Sequence, residues 1–123
     1  MSARTRLAQL IAEQEGFGRP GTIPTTDNNP GDLRHSPHSS HAAEDPNAIG
    51  KIDTVEDGWA DLERQLELDA ARGLTLEQTI YLWAPASDGN DPAAYLQFVC
   101  AGLGLPPETP LSQALLIPAS EPV

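Results

Sequence analysis

A run of helix breakers follows directly on the first amphipathic segment of this chain, and it constrains the fold more than any other feature. Gly16, Gly18, Pro20, Gly21, Pro24, Pro30 and Gly31 stand close together. Proline removes a backbone donor and glycine costs backbone entropy, so no regular helix can run through them. Residues 16–53 therefore read as one long irregular stretch, with short strands expected at Gly21–Thr25 and Ala48–Asp53. So long a stretch without helix in a domain of 123 residues points to a functional lobe or binding loop.

Helices are expected on either side of it. Residues 3–15 carry Leu7, Leu10 and Ile11 on one face, and Glu15 continues that apolar stripe while Glu13 faces water. In the second half, Thr54 caps a helix with Asp57 in its first turn, and Val55, Trp59, Leu62 and Leu66 form the inward face up to a stop near Gly73. Thr75 and Gln78 make a capping box for a helix with Leu76, Ile80 and Trp83, ended by Pro85. Asp91 caps and Pro92 begins the next helix, with Tyr95, Leu96, Val99 and Leu103 on one side. Thr109-Pro110 starts a last short helix through Leu116, and residues 118–123 are expected to fray. Trp59 and Trp83 sit at core spacing and read as packing residues. The expected architecture is α+β, mostly α, in one domain over residues 1–123.

Composition narrows the function. Seven Lys and Arg against eighteen Asp and Glu give a net charge of -11, the wrong sign for binding nucleic acid or an anionic membrane. No run reaches the length of a membrane span and no signal peptide is visible, so synthesis in the cytoplasm and no stable membrane insertion are expected. The lone Cys100 excludes an intramolecular disulfide and a thiolate metal cluster, and its apolar helical setting predicts a buried, inert thiol.

Glu15 is the leading candidate for chemistry. A carboxylate on the core side of a helix C-terminus meets both desolvation and the negative end of the helix dipole, and both raise its pKa. A proton held near neutral pH is what a general acid needs. Opposite it in sequence stands Thr25-Thr26-Asp27-Asn28-Asn29-Pro30-Gly31-Asp32-Leu33-Arg34, a turn by composition whose amides could hold a polar ligand. It lacks the spacing and the closing Glu of a calcium loop. Asp27, then Asp32, are the candidates for a second carboxylate; one standing roughly 5 to 9 Å from Glu15 would make a two-carboxylate glycosidase. His35, His38 and His41, with Glu44 and Asp45 behind them, read as a solvated loop in preference to a metal site, because no His-Glu-x-x-His helix accompanies them.

Taken together, Glu15-Gly16-Phe17, Asn28 to Arg34, Glu56-Asp57-Gly58-Trp59-Ala60-Asp61-Leu62, Tyr81-Leu82-Trp83-Ala84-Pro85, Asn90-Asp91 and Tyr95 resemble the lysozyme-like muralytic domains of bacteriophages and prophages, often described as lytic transglycosylase-like. The likeness runs in order over residues 7–111. It implies a lysozyme-like fold, with the first helix ending in the catalytic Glu, then a small β-lobe, then a helical lobe. By that likeness Glu15 protonates the glycosidic oxygen between N-acetylmuramic acid and N-acetylglucosamine. A lytic transglycosylase then uses the same residue as base, whereas a muramidase activates a water with help from Asp27 or Thr26. Asn28 and Asn29 would wall the cleft, and Tyr81, Asn90 and Tyr95 would line or buttress its helical side. Relatives usually carry Asn where this chain has Asp32, and an aromatic-rich strand where it has Ile49-Gly50-Lys51-Ile52-Asp53.

The resemblance further implies a bacteriolytic endolysin-type enzyme acting on peptidoglycan glycan strands in the cell wall or periplasm, without cofactor or metal. A monomer is expected, alone or delivered by a larger virion or secretion assembly. Two alternatives stand beside it: a lytic endopeptidase on the same fold, in which the histidines would matter, and an inactive sugar-binding or virion structural module.

Overall fold

The computed structural model describes residues 2–40 and 49–117. It is mostly helical, about 58%, with one small two-stranded sheet. The elements run α1 (Ala3–Glu15), α2 (Ile23–Thr26), β1 (Ser39–Ser40), β2 (Lys51–Ile52), α3 (Val55–Ala71), α4 (Leu76–Trp83), a 3-10 turn (Ala86–Asp88), α5 (Pro92–Leu103) and α6 (Leu111–Leu116). The chain divides into two compact units, one of residues up to Leu10 with those from Leu66 onward, the other Ile11–Gln65.

In the first unit the helices form where the caps and periodicity predict. Thr75 accepts from the Gln78 N–H while Gln78 returns a bond to the Thr75 N–H, so two orphan donors at the start of α4 are satisfied reciprocally. The Asp91 carboxylate accepts from the Ala94 N–H, and Pro92 opens α5 where no donor is needed. Leu76 and Ile80 of α4 and Val99 of α5 are wholly buried, and Tyr95 and Leu96 nearly so. The entry to α4 is tied to the approach to α6 by Leu76 N–H to Thr109 O at 2.9 Å and Leu111 N–H to Leu74 O at 2.8 Å. The N-cap of α6 is Pro110, one residue later than Thr109, whose hydroxyl instead donates to Pro106 O. A groove of about 520 Å³ opens between α4 and α5, floored by Leu96 and Cys100 and bordered by Glu77 and Tyr81. Cys100 is thus half-buried at a groove, a correction to the expectation of a fully buried thiol. Burial, and after it the charges of Glu108 and Glu77, push its thiol up.

The second unit carries the irregular stretch, and here three expectations are corrected. Gly21–Thr25 is not a strand: Ile23–Thr26 forms one helical turn. Pro24 falls in the first two helical positions, where a missing N–H costs nothing, so the residue read as a breaker is compatible with a helix start. The second strand shrinks to Lys51–Ile52, and its antiparallel partner is Ser39–Ser40, inside the segment expected to be a solvated loop. Position 48 and His41, Glu44 and Asp45 lie outside the described residues, as does the 118–123 tail. The third correction concerns His38, described below.

The expected inward face of the first helix is buried at Leu7, Leu10 and Ile11, while Glu13 is exposed and Glu15 half-buried. Gly16 ends the helix with φ +89°, a left-handed conformation that costs a side-chain-bearing residue about 1 kcal/mol or more. On α3, the Thr54 hydroxyl accepts from the Asp57 N–H as its cap, and the helix stops two residues before Gly73.

Candidate active site

Within the second unit, three of the sequence blocks meet. Phe17, two residues past Glu15, sets its ring edge-on to Trp59 of α3, with centroids 5.4 Å apart and planes at 76°. The Asn turn lies on α3 at Gly58: a β-carbon there would meet the Asn28 carbonyl and come 2.8 Å from Pro30 Cδ. Only glycine permits that approach, which accounts for the Asp57-Gly58-Trp59 sequence within a helix.

The turn after Glu15 is built by threonines. The Thr22 hydroxyl, 2.9 Å from both Gly16 O and Arg19 O, also lies 2.8 Å from the Thr25 hydroxyl, which accepts from the Gly18 N–H at 2.9 Å. These bonds tie α2 to the residue following Glu15. Thr26 ends α2 and is exposed, and Asp27 follows as its half-buried C-cap.

The Asn turn is held from inside. Asn29 is completely buried; its amide donates to Leu33 O at 2.8 Å and Gly50 O at 2.9 Å and accepts from the Leu33 N–H at 3.0 Å. Both amide hydrogens are used, so Asn29 has none left for a ligand in this arrangement. Asn28 is half-buried, and its amide donates to Ile52 O at 2.9 Å and Asp53 O at 3.2 Å. Asn28 and Asp32 both adopt φ +53°, a left-handed conformation that asparagine and aspartate tolerate better than most residues. One Asp32 carboxylate oxygen is buried without a hydrogen-bond partner among the described residues. Burial raises the Asp32 carboxyl and the charge of Asp27 raises it further, against the opposing pull of Arg34.

His38 does not belong to a free loop. Its Nδ1 is 2.6 Å from Asp61 Oδ1, and its backbone N–H donates to Asp61 Oδ2 at 3.0 Å. Asp61 is buried on α3 although the facing His38 ring is half exposed. Burial alone would raise the Asp61 carboxyl, but the nearby Ser36 hydroxyl and the hydrogen bonds from the His38 ring and backbone leave it below the ordinary range. The histidine spacing gave no sign of this pair, which joins positions far apart in sequence. No local pattern marks Asp61 either, since it stands off the Val55, Trp59, Leu62 and Leu66 face of α3. His35 is exposed, and among the described residues no three His, Cys, Asp or Glu side chains are grouped so as to hold a metal ion.

The remaining candidates lie in the first unit. Tyr81 is exposed on α4 at the edge of the groove, Asn90 is exposed with its amide donating to Pro85 O at 3.3 Å, and Tyr95 is buried in α5. Tyr95 can therefore buttress but not touch a surface ligand. No described helix is long and apolar enough to cross a membrane. The chain matches no family model, no curated protein and no solved structure.

Proposed function

We propose that this protein is a lysozyme-like, peptidoglycan-degrading glycosidase of the lytic transglycosylase or muramidase type, with Glu15 as its general acid and base. The observation that carries the reading is the meeting of three sequence blocks in one unit, through Phe17 on Trp59 and the Asn28 turn on Gly58. A half-buried carboxylate at the end of α1, in the same compact unit as a polar turn held by its own asparagines, supports this reading.

In this reading Glu15 gives its proton to the oxygen leaving N-acetylmuramic acid and then takes one back. In a transglycosylase the proton comes from the muramic acid's own hydroxyl, which closes an anhydro ring, so one carboxylate suffices. In a muramidase it comes from a water helped by Asp27 or Thr26. Asn29 and the amide of Asn28 serve to fix the turn, and sugar contacts fall to the outward groups at Thr26, Asp27 and the turn backbone. The net charge of -11 repels an anionic wall at low salt, which fits delivery by a larger virion or secretion assembly.

Incubation with purified peptidoglycan and mass analysis of the soluble fragments tests the reading. Anhydro-muramic ends identify a transglycosylase and reducing muramic ends a muramidase. Fragments carrying only new amino groups would point to the endopeptidase alternative.

A further inference from the structure

One buried carboxylate grips a single residue at two points. Asp61 binds the His38 ring through one oxygen and the His38 backbone through the other, so ring orientation and chain position are fixed together. The Nε2 side of the ring faces Asp57 Oδ1 at 3.8 Å, one helical turn earlier on α3. From His38 the chain runs directly into β1, which pairs Ser39 with Ile52 and Ser40 with Lys51. The β2 end then holds the Asn turn: the Ile52 N–H donates to Asp27 O, and Ile52 O and Gly50 O accept from the Asn28 and Asn29 amides. A continuous series of hydrogen bonds thus leads from α3 through His38 and the hairpin to the residues following α2.

We propose that Asp61 and His38 form a proton-dependent clamp that positions the hairpin, and through it the Asp27–Asn29 turn, against α3. Its consequence for catalysis rests on the glycosidase reading above, in which that turn borders Glu15. Both residues are positioning residues, with no contact to sugar required of either.

The dependence on pH follows from the groups around the ring. Asp61 and Asp57 face it from α3; Lys51 stands on β2 opposite Ser40, and Arg34 and His35 belong to its own segment. The bond to Asp61 raises the His38 pKa most; burial opposes it, and the charges of Asp61 and Asp57 add to the rise. A neutral ring can still donate from Nδ1, but a charge-assisted bond is roughly twice as strong. The extra hold is therefore complete below the ring's ordinary titration range and is lost as pH rises through the raised value. Asp61, held below the usual carboxylate range, remains charged throughout.

Hydrogen-exchange protection of the Gly50 and Ile52 amides, measured from about pH 5 to about pH 9, reads the clamp directly in the wild type, His38→Asn and Asp61→Asn. Asparagine keeps a donor near the place of Nδ1 but cannot carry charge. The wild type is expected to lose roughly fivefold in protection, with its midpoint at the His38 titration seen by NMR. His38→Asn is expected to show no step, and Asp61→Asn to be poorly protected at every pH. On peptidoglycan, KM is expected to rise over the same range in the wild type and to stay level in His38→Asn. Protection that does not vary in the wild type, or a step retained in His38→Asn, overturns the clamp. A protection step without glycan cleavage at any pH upholds the clamp and overturns the glycosidase reading.

Discussion

Gly58 of α3 and Asn28 of the facing turn approach so closely that a β-carbon on Gly58 would overlap the Asn28 carbonyl oxygen and lie 3.1 Å from its carbon. Backbone cannot swing aside as a side chain can. Gly58→Ala is therefore expected to destabilise the fold by about 2 kcal/mol or more, overriding the roughly 1 kcal/mol that alanine ordinarily gains over glycine in a helix. Urea unfolding checks the sign: a more stable variant would mean that the turn does not rest on α3.

Asn29 is the hub of the same turn. Asn29→Ala takes the side-chain partner from the Gly50 carbonyl and the Leu33 N–H, while the Leu33 carbonyl keeps its bond from the Gly50 N–H. A loss of roughly 3 kcal/mol follows from orphaning buried polar groups. Asn29→Asp is expected to fare little better, since a carboxylate restores neither donated bond. Equilibrium unfolding gives the size, and faster exchange at the Leu33 amide would locate the damage.

These two residues also show what the sequence discloses and what it hides. Helix ends were legible because they depend on local chemistry: Thr75 with Gln78, Asp91 with Pro92, and Gly16 after the Leu7, Leu10 and Ile11 stripe. The Asn-Asn-Pro-Gly composition announced a turn, but not that Asn29 points inward, because its partner Gly50 is set by tertiary packing. The β1–β2 pairing and the His38–Asp61 contact leave no local signature for the same reason. Pairing of two-residue strands leaves no period to detect, and a histidine among serines and prolines reads as loop until its distant carboxylate is known. Pro24 is ambiguous in sequence for another reason: its effect depends on whether it opens a helix or interrupts one.

Asp32 combines a left-handed backbone, a buried oxygen without a hydrogen-bond partner among the described residues, and a raised pKa. A carboxyl whose folded pKa is raised weakens the fold once the unfolded form ionises, so stability falls as pH rises past the ordinary carboxylate range. Asp32→Asn removes that penalty and suits the backbone at least as well. Thermal melts should show a higher Tm than the wild type at pH 7 and a difference that shrinks toward about pH 3. An equal or lower Tm at neutral pH would show that the Asp32 charge is well accommodated.

Cys100 should react slowly for a cysteine at the edge of a groove. Burial and the charges of Glu108 and Glu77 raise its pKa, leaving less thiolate at a given pH. Iodoacetamide labelling at about pH 8 is expected to run slower than for a small thiol, and to speed up in Glu108→Gln and Glu77→Gln. Unchanged rates in both variants would remove the carboxylates as a cause.

The central claim concerns one carboxylate at the end of α1. The most direct measurement is the release of soluble muropeptides from purified peptidoglycan by the wild type and by Glu15→Gln, with matching thermal melts to establish that both are folded. The account predicts that the wild type releases fragments with anhydro or reducing muramic ends, and that Glu15→Gln loses activity by at least about a hundredfold with its Tm nearly unchanged. A folded Glu15→Gln protein that cleaves the wall as fast as the wild type would contradict it.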